Sequence, residues 1–441
     1  MMRALATAST LFVLAAMPLA GQSVPDDAPA PRVPPGFRRP ATVGFDPFRY
    51  VSMPKWGLVV TTGGTGGNNA LNLEDIGAIT YLYDRDEFSV GEVIDALTLV
   101  PEGQGLLGSG QAEGGAYLGV SLGRLLTIGV SAMGRAYARF AVDDDAVALL
   151  RDGNGARQEF SLGQSEGTMV STGELGIHSV LRTGPLGSRD GVDLQLGFGL
   201  RYVRPAMFLR AQSALDNGGV LQVTGDSIQA NLAVQIVSTI PTDDSSDDAW
   251  SNIRSRLGGD FGGGSMAADI LVRAEWPTAG FAIEGMFLNF GGSVDFMEAS
   301  RRVDTLMVQT TSIDDVREEL DLLDFDVRDS VDVSFALPRI WRFTASSWAN
   351  RVLQIDLSAF GTAGGDLTMP FTVDVGTTWR FVRQLPLRAG VVVGGQQGVG
   401  YTGGFGLETS NMLFRVSGQT LGGWFRTATG FGGRVDFGFF F

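Results

Sequence analysis

The sequence predicts an all-β protein, namely a transmembrane antiparallel β-barrel of the outer-membrane type. We expect about 14 to 16 strands, with short helical segments in the loops or as a plug. Three observations predict this fold. Apolar and polar residues alternate along segments of bilayer-spanning length, the first 21 residues have the pattern expected of an export signal, and the last predicted strand ends in phenylalanine. Glycine is also abundant, at 62 of 441 residues, which is about twice ordinary usage.

The N-terminal residues carry the three parts of a secretory signal peptide. One arginine supplies the positive charge, residues 11–16 form a short apolar run, and small residues then offer a cleavage site. The alternative, a membrane anchor, needs about 20 apolar residues, which is more than this run contains. We therefore expect a signal peptide at 1–21, an extended proline-rich segment at 22–55 and an outer-membrane barrel at 56–441.

The composition excludes several classes of site and partner. The chain has no cysteine and a single histidine, which excludes disulfides, cysteine-ligated metals and multi-histidine metal sites. The formal net charge is −15, whereas nucleic-acid-binding proteins usually carry a basic surface. We therefore expect no cofactor and no nucleic-acid partner.

Period-2 alternation is clearest in the last third of the chain. Between residues 353 and 359, Leu353, Ile355 and Leu357 alternate with Gln354, Asp356 and Ser358. A strand places successive side chains on opposite faces, so this segment has one apolar and one polar face. Further segments read in the same way: 192–202, 228–238, 266–276, 371–381 and 401–408.

A secreted β-sandwich also alternates and is the alternative interpretation of these segments. However, the predicted strands are longer than the strands of globular proteins, which usually have about five or six residues. Aromatic residues also lie near the strand ends, as in the girdles of membrane barrels. In a barrel the apolar face meets lipid and the polar face lines the lumen. The charged candidates for the lumen, which either set selectivity or only solvate a closed interior, are Asp193, Arg201, Asp356, Asp374, Arg380, Arg434 and Asp436.

The last strand predicts how the barrel is inserted. Its apolar face consists of Val435, Phe437, Phe439 and Phe441. A final phenylalanine on an alternating strand resembles the C-terminal signal by which bacterial outer-membrane barrels are recognised. We expect these four residues to be the insertion signal, the barrel-assembly machinery to be a partner and outer-membrane lipid to surround the barrel. The alternative is an ordinary aromatic edge strand, which would be an aggregation hazard in a soluble protein.

Some segments depart from the strand pattern. Capping residues and acidic first turns predict short helices, each a loop helix or a plug, at 89–99, 143–150 and 312–323. Longer breaks between strands are predicted at 143–166, 240–265 and 298–330.

Several stretches in order along residues 90–441 carry a family resemblance: 94–97 followed by 100–103, then 199–204, 385–390 and 404–407. With the last strand, they resemble outer-membrane barrels related to the FadL/TodX hydrophobic-solute transporters. The chain is also similar to TraF-type barrels associated with conjugal transfer. The resemblance implies an outer-membrane barrel with no catalytic residues and a small or hydrophobic solute as ligand.

The residues predict no enzyme. The only histidine, His178, shares a strand face with Glu174, whereas the adjacent Ser179 points to the opposite face and cannot contact it.

The first function hypothesis is a passive channel or FadL-like transporter of small or hydrophobic solutes. The alternative is a non-transporting barrel that anchors or assists a secretion or surface-assembly machine. Long acidic loops favour it, as does the lack of the Asn-Pro-Ala segment that opens FadL-type chains.

Overall fold

The computed structural model describes most of the predicted barrel. The described residues are 46–48, 56–72, 100–123, 125–152, 159–161, 165–186, 191–215, 219–224, 227–239, 263–310, 327–349, 352–382 and 384–441. The predicted signal peptide and most of the proline-rich segment lie outside these residues, and so do the predicted helices at 89–99 and 312–323.

The described residues form strands almost throughout. The strands are β1 (Gly57–Asn68), β2 (Leu106–Leu122), β3 (Leu126–Val142), β4 (Glu159–Ser161), β5 (Glu166–Leu186), β6 (Val192–Ser213), β7 (Val220–Thr224), β8 (Ser227–Ser238), β9 (Ser265–Trp276), β10 (Phe281–Phe290), β11 (Ser293–Thr310), β12 (Val327–Ala336), β13 (Ile340–Trp348), β14 (Leu353–Thr362), β15 (Thr372–Val382), β16 (Leu385–Gly394), β17 (Gly398–Glu408), β18 (Met412–Leu421) and β19 (Gly430–Phe440). A helix, α1 (Asp144–Asp152), follows β3, and a 3-10 turn spans Phe425–Thr427. Among the described residues, no helix combines the length and hydropathy of a membrane span.

Fourteen of the described strands close into an antiparallel barrel, which confirms the predicted fold class. The order around the ring is β1, β2, β3, β5, β6, β9, β10 and then β13 to β19. The ring closes where β1 pairs with β19, in a register that sets Thr61 opposite Asp436. Closure pairs both edges of every barrel strand, which lipid requires because it offers no water to backbone N–H and C=O groups.

The two ends of the barrel differ in the length of their connections. At one end, called the turn end here, the strands are joined by short turns such as 277–280 and 409–411, and Gly57 pairs with Phe440. At the other, the loop end, long segments join β1 to β2, β3 to β5, β6 to β9 and β10 to β13. Outer-membrane barrels have short periplasmic turns and longer extracellular loops.

A second group of strands extends the wall at the loop end. β6 continues past its pairing with β9, and its residues 209–213 pair with β8. β8 pairs in turn with β7 and β11, β11 pairs with β12, and β7 pairs with β4. These five strands (β4, β7, β8, β11 and β12) are called the extension sheet. The predicted break at 298–330 is therefore wrong at both edges, because β11 runs to Thr310 and β12 begins at Val327.

The two faces of the barrel wall follow the alternation of the sequence. On β14, Gln354, Asp356 and Ser358 are buried inside the barrel, whereas the leucine and isoleucine side chains between them are half-exposed on the outer face. On β5, Leu175 and Ile177 are both 62% exposed on the outer face. Large exposed apolar side chains are what a wall in contact with lipid presents.

The barrel interior is filled by side chains. One apolar cluster includes Val59, Tyr117, Leu413 and Phe440 near the turn end, together with Phe48 from the segment before β1. A second cluster at the loop end joins the barrel to the extension sheet; it includes Tyr137, Val170, Phe208, Phe296 and Phe335. The helix predicted at 143–150 is present as α1, which begins with two aspartates at its first turn.

Candidate functional site

A buried arginine organises the middle of the barrel interior. Arg201 is fully buried, and its guanidinium donates to Asp269 from Nε at 2.6 Å and from Nη2 at 2.8 Å. It also donates to Glu174 and to the side-chain oxygen of Asn289. The three partners lie on strands β9, β5 and β10, so one side chain on β6 ties four strands together. Burying a charge is costly unless it is paired and hydrogen-bonded, and Arg201 meets that condition.

The same network continues to the barrel seam. Arg135 on β3 lies 3.1 Å from Glu174, and Arg434 on β19 lies 2.6 Å from Glu113 on β2. Arg434 also donates to Asp436 at 2.8 Å. Since Arg135 and Glu113 lie 3.9 Å apart, the contacts from Asn289 to Asp436 form one continuous ion-pair chain. This chain crosses half of the barrel wall, from β10 through β9, β6, β5, β3 and β2 to β19.

Two smaller clusters occupy the other half of the interior. Arg388 on β16 donates to Asp356 on β14 at 2.7 Å and to Asp374 on β15 at 3.1 Å. Nearer the turn end, Glu408 accepts from Arg380 at 2.7 Å and from Arg415 at 2.6 Å. The first cluster has one more carboxylate than cations and the second has one more cation than carboxylates, so their formal charges are opposite in sign and together sum to zero.

The structure brings most of the predicted lumen charges inside the barrel and pairs them. Arg201, Asp356, Arg434 and Asp436 are buried, and Asp374 and Arg380 are mostly covered by their ion pairs. Asp193 is half-buried near the turn end of β6. Apart from Asp193, each of these side chains forms an ion pair with an interior charge of opposite sign, which offsets the cost of burying it. A selectivity role for them stays a prediction.

His178 lies inside the barrel on the same face as Glu174, and its partner is a serine on the neighbouring strand. Its Nε2 lies 2.9 Å from the hydroxyl oxygen of Ser131 on the neighbouring strand. The ring of Phe48 packs edge-on against the imidazole, with ring centres 5.9 Å apart. Phe48 fits there because Gly197 lacks a side chain: a Cβ at that position would lie 2.9 Å from the Phe48 ring.

The Ser131–His178 pair offers no room for a reaction. Both side chains are buried, and Phe48 and Tyr117 cover the imidazole. Nδ1 of His178 has no hydrogen-bond partner within the described part of the chain, so no carboxylate orients the ring. Ser179 donates instead to the Phe198 carbonyl on the outer face. The described residues also contain no group of three potential metal ligands.

A partly enclosed cavity of about 90 Å³ lies inside the barrel at the loop end. It is bounded by the strands on both sides of the seam, by β13 to β16 across the interior, and by two loops. The residues that line this loop-end cavity are Thr65, Gly66, Gly67, Ser109, Gly110, Gln111, Arg342, Ser358, Phe360, Met369, Pro370, Thr372, Asp374, Val392, Gln397, Gln419 and Leu421.

The lining of the loop-end cavity is mixed. The interior faces of β1, β2 and β18 contribute hydroxyl and carboxamide groups, and Gln419 donates to the Thr65 hydroxyl at 2.9 Å. The opposite wall contributes apolar side chains, among them Phe360 and Val392. A concave site with apolar surface and a few convergent polar groups is the usual form of a small-molecule site.

A larger, open groove of about 450 Å³ lies on the outer face of the same wall. It is lined by small residues such as Gly64, Gly110 and Ala136, and also by Met169 and Phe431. These small residues face outwards, but Thr65 and Gln111 line this groove as well as the loop-end cavity, so the groove and the cavity share the same glycine-rich wall.

The four residues predicted as insertion signal form an outward row on β19 and at its end. Val435, Phe437 and Phe439 are between 38% and 44% exposed, and Phe441 is 76% exposed. The rings of Phe437 and Phe439 pack edge to face, with centres 4.9 Å apart. The neighbouring Phe440 points inwards and is buried in the apolar cluster near the turn end.

No family model matches the chain, and no curated protein matches it. In solved structures it is similar to hydrophobic-solute channels. A TodX mutant described as a monoaromatic hydrocarbon channel is 8% identical over 89% of this chain and 92% of that chain, with a TM-score of 0.45. The toluene transporter TbuX of Ralstonia pickettii is 9% identical over 89% and 90%, with a TM-score of 0.42. A FadL homologue from Pseudomonas aeruginosa is 12% identical over 89% and 91%, with a TM-score of 0.41.

Sequence reasoning missed several interior residues that the structure brings together. The alternation of β16 would have placed Arg388 in the interior, because Arg388 shares the inward face of this strand with Val392. Glu113 and Gln111 lie in a glycine-rich strand whose alternation is weak, so their faces were not evident. Gln397 and Met369 line the loop-end cavity from loops, where strand alternation gives no signal.

Proposed function

We propose that this protein is a passive outer-membrane transporter that admits a small solute through the loop end of its barrel. The observation that carries the proposal is the loop-end cavity, a solute-sized space inside a closed barrel. Its lining combines hydrogen-bonding groups on β1 and β2 with an apolar wall on β14 and β16. An interior that served only to hold the wall together would have no need of a concave, mixed lining at its mouth.

The proposal places the loop end on the cell surface and the turn end in the periplasm. Short turns on one side and long loops on the other support this orientation. Exposed aromatic side chains occur near both ends of the outer wall, with Tyr401 and Trp424 at the loop end and Trp56 and Phe381 at the turn end. Aromatic side chains of this kind mark the two membrane interfaces of outer-membrane barrels. The proposed surroundings are outer-membrane lipid.

Passage from the loop-end cavity to the turn end requires movement inside the barrel. Asp374 lines the cavity and is held by Arg388, which also binds Asp356 deeper on β14. Beyond these ion pairs, the apolar cluster that contains Phe48 fills the interior. The proposed transporter therefore works by transient rearrangement of these groups and not as a wide, water-filled pore.

A second candidate function is favoured by the extension sheet. Its strands project from the loop end, and β12 pairs only with β11 among the described strands. A barrel that anchors a surface-assembly machine would use such a projection for contact. This candidate predicts defined protein partners and no solute flux.

The test compares two tryptophan substitutions on adjacent positions of β14. Ser358 lines the loop-end cavity, whereas Leu357 faces outwards. We expect Ser358→Trp to fill the cavity and to abolish solute uptake into proteoliposomes, while Leu357→Trp leaves uptake unchanged. Equal uptake by both variants would contradict a route through the cavity, and no uptake by the wild-type protein would favour the anchoring function.

A further inference from the structure

We infer that the loop-end cavity takes a compact, uncharged solute that carries several hydrogen-bonding groups and one apolar face. This inference rests on the proposed function and names the class of solute. It differs from the hydrophobic solutes that the family resemblance implies, because the interior lining of this chain is too rich in hydrogen-bonding groups for a hydrocarbon.

The charges around the cavity balance. The ionisable side chains that line it are Arg342 and Asp374, which carry opposite charges. Asp374 is engaged by Arg388, and the second carboxylate on Arg388 is that of Asp356. These four side chains sum to zero charge. A charged solute would lose its hydration on entering without gaining a counter-charge, so the lining favours a neutral one.

The hydrogen-bonding capacity of the lining comes mainly from carboxamides. Gln111, Gln397 and Gln419 each offer two N–H donors and one acceptor oxygen, and Ser109 and Ser358 add hydroxyl groups. The contact from Gln419 to Thr65 and the contact between Ser358 and Thr344 use part of this capacity. Groups that can both donate and accept match hydroxyl or amide groups on a ligand.

An apolar solute would leave these groups without partners. A site built to hydrogen-bond its ligand discriminates strongly against an analogue that lacks the polar groups, because buried donors and acceptors are then unsatisfied. A hydrocarbon in the loop-end cavity would displace water from the glutamines and return no hydrogen bonds. The polar side of the cavity therefore selects against the ligands of a purely hydrophobic channel.

The opposite wall gives the solute its apolar face. Phe360, Val392 and Leu421 point into the cavity from β14, β16 and β18, and Met369 covers it from the loop before β15. A polyol presents C–H groups on one side and hydroxyl groups on the other, which suits a cavity with one apolar and one polar wall.

The volume limits the size of the solute. Liquid water occupies about 30 Å³ per molecule, and a cavity of about 150 Å³ binds benzene. The cavity of about 90 Å³ therefore suits a solute of three or four carbons or a small amide, with any larger part projecting through the open side. Glycerol is the simplest probe with these properties.

The experiment measures osmotic swelling of proteoliposomes in glycerol and in lactate, each corrected for protein-free liposomes. Lactate has the same number of carbons but carries a charge. We expect fast swelling in glycerol and little in lactate. Toluene, at a concentration that leaves the protein-free leak unchanged, should not slow glycerol uptake. Equal swelling in both solutes, or inhibition by toluene, would overturn the inference while leaving transport intact. No swelling in either solute would instead count against the proposed function.

Substitutions test the carboxamides directly. Gln419→Leu and Gln397→Leu keep the size of the side chain but remove its hydrogen bonds. Each should slow glycerol uptake roughly three- to tenfold, the loss expected for a hydrogen bond between neutral groups. Gln309→Leu, at an exposed position of the extension sheet, is the matched control and should have no effect. Gln397 lies in a loop, so its variant tests the inference even if a strand variant folds poorly. Unchanged uptake in both cavity variants would overturn it.

Discussion

Thr61 and Asp436 face each other across the seam of the barrel, 375 positions apart in the sequence, and the Thr61 hydroxyl donates a 2.7 Å hydrogen bond to the Asp436 carboxylate. The same carboxylate accepts from Arg434, which binds Glu113 on β2. The seam is thus held by interior polar contacts as well as by its backbone ladder, and it is one end of the ion-pair chain.

The first prediction concerns the centre of that chain. Arg201→Ala leaves Asp269 and Glu174 buried without their shared cation, and breaking a buried pair in this way costs about 3–5 kcal/mol. We expect the barrel to unfold at a markedly lower temperature. This temperature is measured from the change in gel migration between the folded and the heat-unfolded protein. The control is Arg301→Ala, which removes an ion pair with Asp329 on the exposed extension sheet. An equal effect of the two substitutions would contradict a structural role for the chain.

The second prediction concerns the face of each residue on β14. Because the chain has no native cysteine, single cysteines can be labelled without background. We expect lipid-soluble thiol probes to label Leu353→Cys, Ile355→Cys and Leu357→Cys in membranes, and not the three intervening positions. The physical reason is that a one-residue slip would turn every side chain of the strand to the opposite face. Labelling of the even positions would show that the register is inverted.

The third prediction concerns insertion by the last strand. Phe437→Arg places a charge on the outward face, at a cost of about 2–4 kcal/mol near the bilayer midplane. We expect less membrane-inserted, protease-resistant protein than with Phe437→Leu, which keeps the face apolar. Deletion of Phe441 should also lower insertion and leave export across the inner membrane unchanged. If all three variants insert equally, the terminal strand carries no insertion signal.

From the sequence alone, Phe440→Ser is expected to be far milder than Phe437→Arg, because Phe440 lies on the inward side of this strand. The packing of Phe440 predicts a larger effect. Phe440 is buried in the apolar cluster with Val59 and Leu413, and truncation of such a phenylalanine typically costs about 3–5 kcal/mol. We expect Phe440→Ser to lower stability in the heat-modifiability assay without adding a charge to the lipid face.

The fourth prediction concerns Phe48. Phe48→Ala removes the ring that covers His178 and opens space over Gly197 inside the barrel. We expect faster solute uptake into proteoliposomes, because the interior near the turn end is then less filled. Phe198→Ala, on the outer face of β6, is the control and should leave uptake unchanged. Unaltered uptake in Phe48→Ala would show that the solute does not pass this point.

The fold could be predicted because lipid imposes a simple rule on the sequence. A charge on the outer face is penalised, so alternation survives in strands such as β14 and β19 and indicates both fold and facing. This rule does not apply to the extension sheet, which is why part of that sheet was not predicted. β11 does not have to separate a lipid face from a lumen face, and its central residues Arg301 and Arg302 lie next to each other without alternation.

The candidate site could not be predicted to the same degree. Alternation shows which face a residue occupies, but not which residue on another strand it meets. The contact of His178 with Ser131 depends on the register of β3 against β5 over 47 positions of sequence. The loop-end cavity depends further on loop residues such as Gln397 and Met369, whose positions follow from closure of the whole barrel.

The most direct test of solute passage through the barrel interior uses Ser358→Cys with a small, water-soluble thiol reagent. Ser358 lines the loop-end cavity, and the chain has no other cysteine. Our account predicts that modification during the experiment stops solute uptake, while the same treatment of Leu357→Cys has no effect. Uptake that continues at the wild-type rate after complete modification of Ser358→Cys would contradict it.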